Sequence, residues 1–137
     1  MSERHLILDT GVLISHLRNI PGVKQLLLRL AQRFILSISA VTVVEIWQGA
    51  KPDEVESTKK FLQGFKLISL NGELAEKSGK LLAELKYKGF TIDFADAVIA
   101  STARQLESPV LTTNSKHFLA IPELEVWKLT ELIAKNQ

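Results

Sequence analysis

Short apolar runs set off by polar or turn residues recur along the chain, separated by longer stretches in which apolar side chains return every three or four positions. The runs at 6–8, 34–38, 66–69, 109–111 and 125–128 predict five brief strands, and the continuous hydrophobic run at 6–8 suits a strand buried on both faces. Between them the periodicity predicts helices over 10–18, 23–33, 40–49, 52–63, 72–88, 93–106 and 130–135. Ser39 can cap the third helix, Pro52 opens the fourth, Asn71 or Gly72 leads into the fifth, and Gly89 ends it. Strands alternating with helices point to a parallel sheet covered on both faces, in which chemistry gathers at the carboxyl ends of the strands. No internal repeat, low-complexity tract or linker interrupts the pattern, so residues 1–137 read as a single domain.

One helix stands apart. In Thr91–Thr102, TIDFADAVIAST, Asp93 and Asp96 lie three residues apart at the opening turn of a helix that is otherwise apolar nearly all the way round. Such a helix is buried in a larger protein, which leaves Asp96 little access to bulk water. Two readings compete. In one, Asp93 is the N-cap, Asp96 sits at the third helical position, and both satisfy backbone N–H groups near the positive end of the dipole. In the other, Asp96 is a metal ligand whose charge the same dipole eases.

Composition narrows the class. The chain has no cysteine, which excludes disulfides and thiolate zinc sites and fits a reducing, cytoplasmic location. The apolar run in MSERHLILD is too short for a signal sequence, and no uncharged apolar stretch approaches the ~18 residues of a membrane span, so no membrane role is expected. Seventeen basic residues against fifteen acidic ones give a formal charge of +2, which permits a nucleic-acid partner without demanding one. Acids gathered in one pocket would leave the remaining surface more basic than that total.

The rule about strand ends singles out particular residues. Asp9 closes the first predicted strand, Glu45 lies in the second turn of the helix after the second, Asp96 opens the helix before the fourth, and Asn114 follows the fourth in VLTTNSKHF. Taken singly, each has an ordinary structural role open to it: a turn or cap for Asp9, Thr10 and Asn114, a strand end for Thr112, a solvated helix face for Glu45. Together they are more specific, because carboxylates brought close raise one another's pKa and repel unless a cation sits among them. Hard oxygen donors, with no cysteine and no histidine pair at ligand spacing, select magnesium or manganese over zinc. His5, His16 and His117 read as surface or structural, His117, near Asn114, being the one open to a substrate contact.

These residues resemble the PIN-domain ribonucleases, and most closely the VapC-type toxins of bacterial and archaeal toxin–antitoxin pairs. The resemblance rests on LILDTGVLI around Asp9, ISAVTVVEIWQG around Glu45, DFADAVIASTA around Asp96 and VLTTNSKHF around Thr112 and Asn114, in the family's order from end to end of the chain. It implies a three-layer α/β/α fold with a five-stranded, mainly parallel sheet. It also implies magnesium-dependent RNA cleavage, with manganese able to substitute, leaving 5′-phosphate and 3′-hydroxyl ends. Asp9, Asp96 and Glu45 would bind the metal, Glu45 orienting or deprotonating the attacking water, with Thr112 and Asn114 completing the outer shell and Thr10 and Asp93 auxiliary. The fourth acidic position of the family is often Asp and here is Asn114, which removes a charge and weakens support for a second ion. Partners implied are an RNA substrate and a small cognate antitoxin covering the acidic rim; Arg18, Lys51, Lys59, Lys60 and Lys116, outside the acid cluster, are candidates to hold the RNA backbone, and a second copy in a homodimer is expected.

Two other functions compete. A haloacid-dehalogenase-like phosphohydrolase also opens with a strand ending in Asp-Thr, but it requires a second Asp two positions on, where this chain has Gly11. A PIN-like fold kept as a catalytically weak RNA- or protein-binding module is the non-enzymatic alternative.

Overall fold

In a computed structural model of the chain, residues 4–136 are described. Five strands, β1 (His5–Leu8), β2 (Ile35–Ser39), β3 (Lys66–Ile68), β4 (Val110–Thr112) and β5 (Val126–Lys128), form one sheet in the order β3-β2-β1-β4-β5, with all four pairings parallel. Seven helices connect and cover them: α1 (Thr10–Leu17), α2 (Val23–Leu30), α3 (Ala40–Gly49), α4 (Val55–Leu62), α5 (Gly72–Tyr87), α6 (Phe94–Gln105) and α7 (Leu129–Lys135). The expected three-layer α/β/α architecture is therefore present.

Alternation along β1 shows how the layers form. Leu6 and Leu8 point to one side, where they join Val12 and Leu13 of α1, Leu26 of α2 and Ile46 of α3. Ile7 points to the other, where Leu81 and Leu85 of α5 and Ala97, Ile99 and Ala103 of α6 meet it. With successive side chains going to opposite faces, a strand buried on both sides must be apolar throughout, which is the run read in the sequence. The small residues of α6 let it lie close on the sheet and against α5.

Element ends follow local chemistry. Asp9 and Ser39 accept hydrogen bonds at the starts of α1 and α3, and Asn71 does so for α5 from the Leu74 N–H at 2.9 Å. Some boundaries differ from the sequence reading. The helix expected over 23–33 stops at Leu30, with turns closing through Leu30 to the N–H groups of Arg33 and Phe34. The segment from Pro52 divides into a 3-10 turn, Pro52–Glu54, and α4. A second 3-10 turn, Ser115–Phe118, has no counterpart in the sequence reading. Phe94, counted there as part of a buried helix, is exposed, and burial along α6 begins at Asp96.

Chain order then fixes where a site can lie. From β1 the chain moves outward through β2 and β3, and returns across β1 to build β4 and β5. The connections leaving β1 and β4 therefore diverge, opening a crevice at their carboxyl ends, the switch point at which doubly wound sheets bind ligands.

Candidate active site

Asp9 sits at that switch point. Its Oδ1 accepts from the Thr10 N–H at 2.8 Å, and its Oδ2 accepts from the Thr112 hydroxyl at 2.6 Å, across the gap from β1 to β4. Both partners are fixed by backbone: Thr10 is the first residue of α1, and Thr112 the last of β4. Thr112 Oγ1 also accepts from the Asn114 N–H at 3.0 Å, so one hydroxyl ties the carboxylate to the loop beyond β4. Such short, charge-assisted bonds hold an ionised carboxylate in one orientation.

Glu45 reaches the same place from α3. Its Oε1 accepts from the Thr10 hydroxyl at 2.7 Å, and Thr10 Oγ1 lies 3.0 Å from Thr42 Oγ1. Because Thr10 has one proton and gives it to Glu45, buried Thr42 is the donor in the second bond. Consecutive residues Asp9 and Thr10 thus join α1, α3 and β4 in one network. Thr10 and Thr112, expected to be auxiliary, are the groups that organise it, while Thr42 was not singled out in the sequence; its position one helical turn before Glu45 is the only signal there.

Asp96 faces this network from α6. It is 8% exposed and, among the described residues, accepts no hydrogen bond. Burial pushes its pKa up to about 6, and the carboxylates of Asp9, Asp93 and Glu45 add to the rise while His117 opposes it. Two acids distant in the chain, Asp9 and Glu45, therefore act on Asp96 electrostatically together with its neighbour Asp93, which brings the four sequence-predicted carboxylates within reach of one rim. Asp93 occupies the N-cap position with extended backbone, but its exposed side chain makes no capping bond, contrary to the cap reading; the carboxylate stays in water and contributes charge instead.

Asn114 is exposed and turns its amide to His117, Nδ2 to Nε2 at 3.0 Å, and His117 Nδ1 stands 3.5 Å from Asp96 Oδ2. An amide donating to Nε2 leaves the proton of a neutral ring on Nδ1, facing the carboxylate. Asn114 thus bears on Asp96 through His117. His5 and His16 are structural as read: His5 bonds Ser37 Oγ at 2.8 Å, and His16 stacks on Phe61 at 5.4 Å.

Residues 6–124 match the sequence profile of the PIN domain. The chain belongs to the PIN-domain family. It is 31% identical over 122 residues to ribonuclease VapC1 of Methanocaldococcus jannaschii, covering 88% of this chain and 84% of that relative. With ribonuclease VapC19 of Mycobacterium tuberculosis the identity is 27% over 120 residues, 87% of this chain and 96% of the relative. Among solved structures, VapBC2 from Rickettsia felis bound to a DNA fragment from its promoter matches with a TM-score of 0.78 at 26% identity, covering 90% of this chain and 97% of that chain. Family membership removes the haloacid-dehalogenase alternative. Geometry is in keeping with this, because a side chain at position 11 would require the Thr113 hydroxyl to turn away.

The donor set of this PIN domain fits a hard divalent cation. Its acids present only oxygen, repel one another, and among the described residues have no Lys or Arg paired with them. Among those same residues no three acidic or imidazole groups stand close enough to enclose an ion directly. Magnesium does not need that, since it keeps several waters and takes one or two carboxylates. Of the expected substrate contacts, Lys116 is beside the rim, in the turn that carries His117, whereas Arg18 and Lys51 are exposed beyond the far ends of α1 and α3. A cleft of about 670 Å³ lined by Lys77, Arg104, Glu107 and Glu123 lies at the C-terminal end of α6 and holds none of the site residues.

Proposed function

We propose that this PIN domain is a magnesium-dependent endoribonuclease of the VapC toxin type, restrained by a cognate antitoxin. One observation carries the reading: Asp9, Glu45 and Asp96, brought from three separate elements, face the β1/β4 switch point with no Lys or Arg paired to them among the described residues and only His117 beside Asp96. The named ribonuclease relatives and the VapBC neighbour support the same conclusion.

Asp9 and Asp96 would hold the metal, with Glu45 next to them. The ion, when bound, supplies Lewis acidity toward the scissile phosphate and lowers the pKa of a water. Thr112 and the Thr10 N–H fix the direction of the Asp9 carboxylate before substrate arrives. Glu45, half-buried and steered by the Thr10 hydroxyl, keeps one oxygen free to accept a proton from the attacking water. His117 and Lys116 line the loop side, where the phosphate backbone would pass.

The antitoxin would cover the acidic rim, pairing a basic side chain with the carboxylates. Packed helices α1, α3 and α4 also expose Leu17, Val44 and Val55, a surface suited to an antitoxin segment or to a second copy in a homodimer. No helix of the described residues is long and apolar enough to cross a membrane, and a cytoplasmic location is proposed with the function.

A second reading, a catalytically weak binding module, is favoured by two features: Asn114 at the fourth acidic position, and no preassembled trio of ligands among the described residues. The deciding experiment is a magnesium titration of single-stranded RNA cleavage by the parent and by Asp9→Ala, with end-group analysis. Metal-dependent cleavage lost in Asp9→Ala and leaving 5′-phosphates supports the enzyme; metal-free RNA binding that Asp9→Ala leaves unaltered, without cleavage, supports the module.

A further inference from the structure

The chain has six Phe, two Trp and one Tyr, and of these only Tyr87, Phe90 and Phe94 are exposed, at 94%, 51% and 61%. Of the others, Phe118 lies in the core, Phe61 between His16 and Phe65, and Phe34 edge-on to Trp127. A lone exposed aromatic needs no explanation, but three between the last residue of α5 and the first of α6 mark a place where something binds.

The segment is built to present them. Tyr87 is the last residue of α5; the turn after it is closed by Gly89 N–H to Lys86 O at 3.0 Å and Phe90 N–H to Leu85 O at 2.8 Å, with Gly89 at φ 91°. A left-handed residue there is cheap only for glycine. Ile92 turns inward against the core, Phe90 stays on the surface, and Phe94 begins α6. The aromatics are held by a helix end, a tight turn and a helix start, so little ordering remains to be done on binding.

Phe94 also adjoins the acidic rim. Asp93 precedes Phe94 and Asp96 follows it by two residues, about 3 Å along the helix axis. An acidic pocket repels the polyanion it is meant to receive, and the formal charge of the whole chain is only +2. Affinity near the rim must therefore come largely from contacts indifferent to phosphate charge, and stacking of bases on aromatic faces is such a contact. Lys86 and Lys88 are interleaved with the aromatics, Lys88 bonded to Glu84 and Lys86 making no ion pair among the described residues. Lysines beside exposed rings suit a nucleic-acid strand better than a protein interface, whose cores are depleted of lysine.

We propose that Tyr87, Phe90 and Phe94 form a stacking surface for unpaired bases of a single-stranded RNA whose backbone continues onto the acidic rim. The polymer is taken from the ribonuclease reading, but stacking does not require cleavage, so the two can be tested apart. Binding of a fluorescently labelled single-stranded RNA is measured with the full chain carrying Asp9→Ala, with and without Tyr87→Ala, Phe90→Ala or Phe94→Ala. Each added substitution is expected to weaken binding about tenfold, while Phe90→Tyr and Phe94→Tyr retain it. Replacing the stacked bases with abasic ribose should weaken binding to the intact surface and erase the difference between it and the alanine variants, which a purely structural role would not do. Melting temperature and sedimentation mass should not change. Affinity unaltered by the alanine substitutions overturns the proposal; so does a changed assembly mass with unaltered affinity, which would assign the aromatics to a contact between copies. Cleavage by chains with native Asp9 is followed in parallel. Binding that depends on the aromatics without any cleavage sinks the nuclease reading alone, cleavage unaffected by their loss sinks the stacking surface alone, and neither binding nor cleavage sinks both.

Discussion

Replacing Asp96 with Asn should make the protein more stable and inactive at once. The folded-state pKa of Asp96 is raised from 3.8 to about 6, first by burial and then by Asp9. For an acid shifted upward, the folded chain keeps a proton between about pH 4 and 6 that the unfolded chain has already lost, so stability falls as pH rises through that window and the loss is complete above it. Two pKa units correspond to about 3 kcal/mol at neutral pH, an upper limit because the carboxyl oxygens still reach some water. Losing a negative charge from the first turn of α6 gives back about 0.3–1 kcal/mol of favourable dipole interaction, leaving a net gain near 2 kcal/mol for Asp96→Asn. For a chain of this size that raises the melting temperature by about 5–10 °C. The assay is thermal unfolding of both proteins in chelator, from pH 4 to 8, read as the difference between them so that other titrating groups cancel. The difference should be small at pH 4, grow through pH 6 and then level off, and magnesium should shrink it by stabilising the parent more. A variant no stabler than the parent at pH 7.5, or a difference independent of pH, would refute the claim that Asp96 is held ionised among like charges. Cleavage should be lost in the same variant, since the charge that costs stability is the one proposed to hold the metal.

Two further substitutions test the network around Asp9. Thr112→Val keeps shape but removes the hydroxyl that donates to Asp9 and accepts from the Asn114 N–H, and it should cost about 1–3 kcal/mol in chemical unfolding and lower cleavage, with Thr112→Ser restoring most of both. Gly11→Ala drives a Cβ into Thr113 Oγ1 and should destabilise by about 1–3 kcal/mol, whereas in a Thr113→Ala background the same change should be neutral or stabilising, because alanine is the better helix residue; equal costs in both backgrounds would show that the two side chains do not meet.

How much of this was legible beforehand depends on the range of the interaction that fixes each feature. Strands and helices are short-range objects, and the apolar runs and the caps at Ser39 and Asn71 located them to within a few residues. The acids could be named because the parallel sheet sends every strand end to one edge, so Asp9 and the helix starts near Glu45 and Asp96 converge without any contact having to be guessed. What the sequence could not supply was partnership. Thr112 meets Asp9 only because β4 pairs with β1 in the register Leu8 to Leu111, a contact spanning 103 positions, and a shift of one residue would turn that hydroxyl to the opposite face. Local pattern misled at Asp93, where spacing suggested a cap and the exposed side chain makes none, and at Phe94, where an apolar letter suggested burial. Both errors fall at the rim, where α6 emerges from the core, and for one reason: periodicity reports the face a helix turns inward only while neighbours surround it. Where the helix projects past them, an apolar residue such as Phe94 no longer has a core to enter, and its exposure becomes a property that something other than folding has to account for.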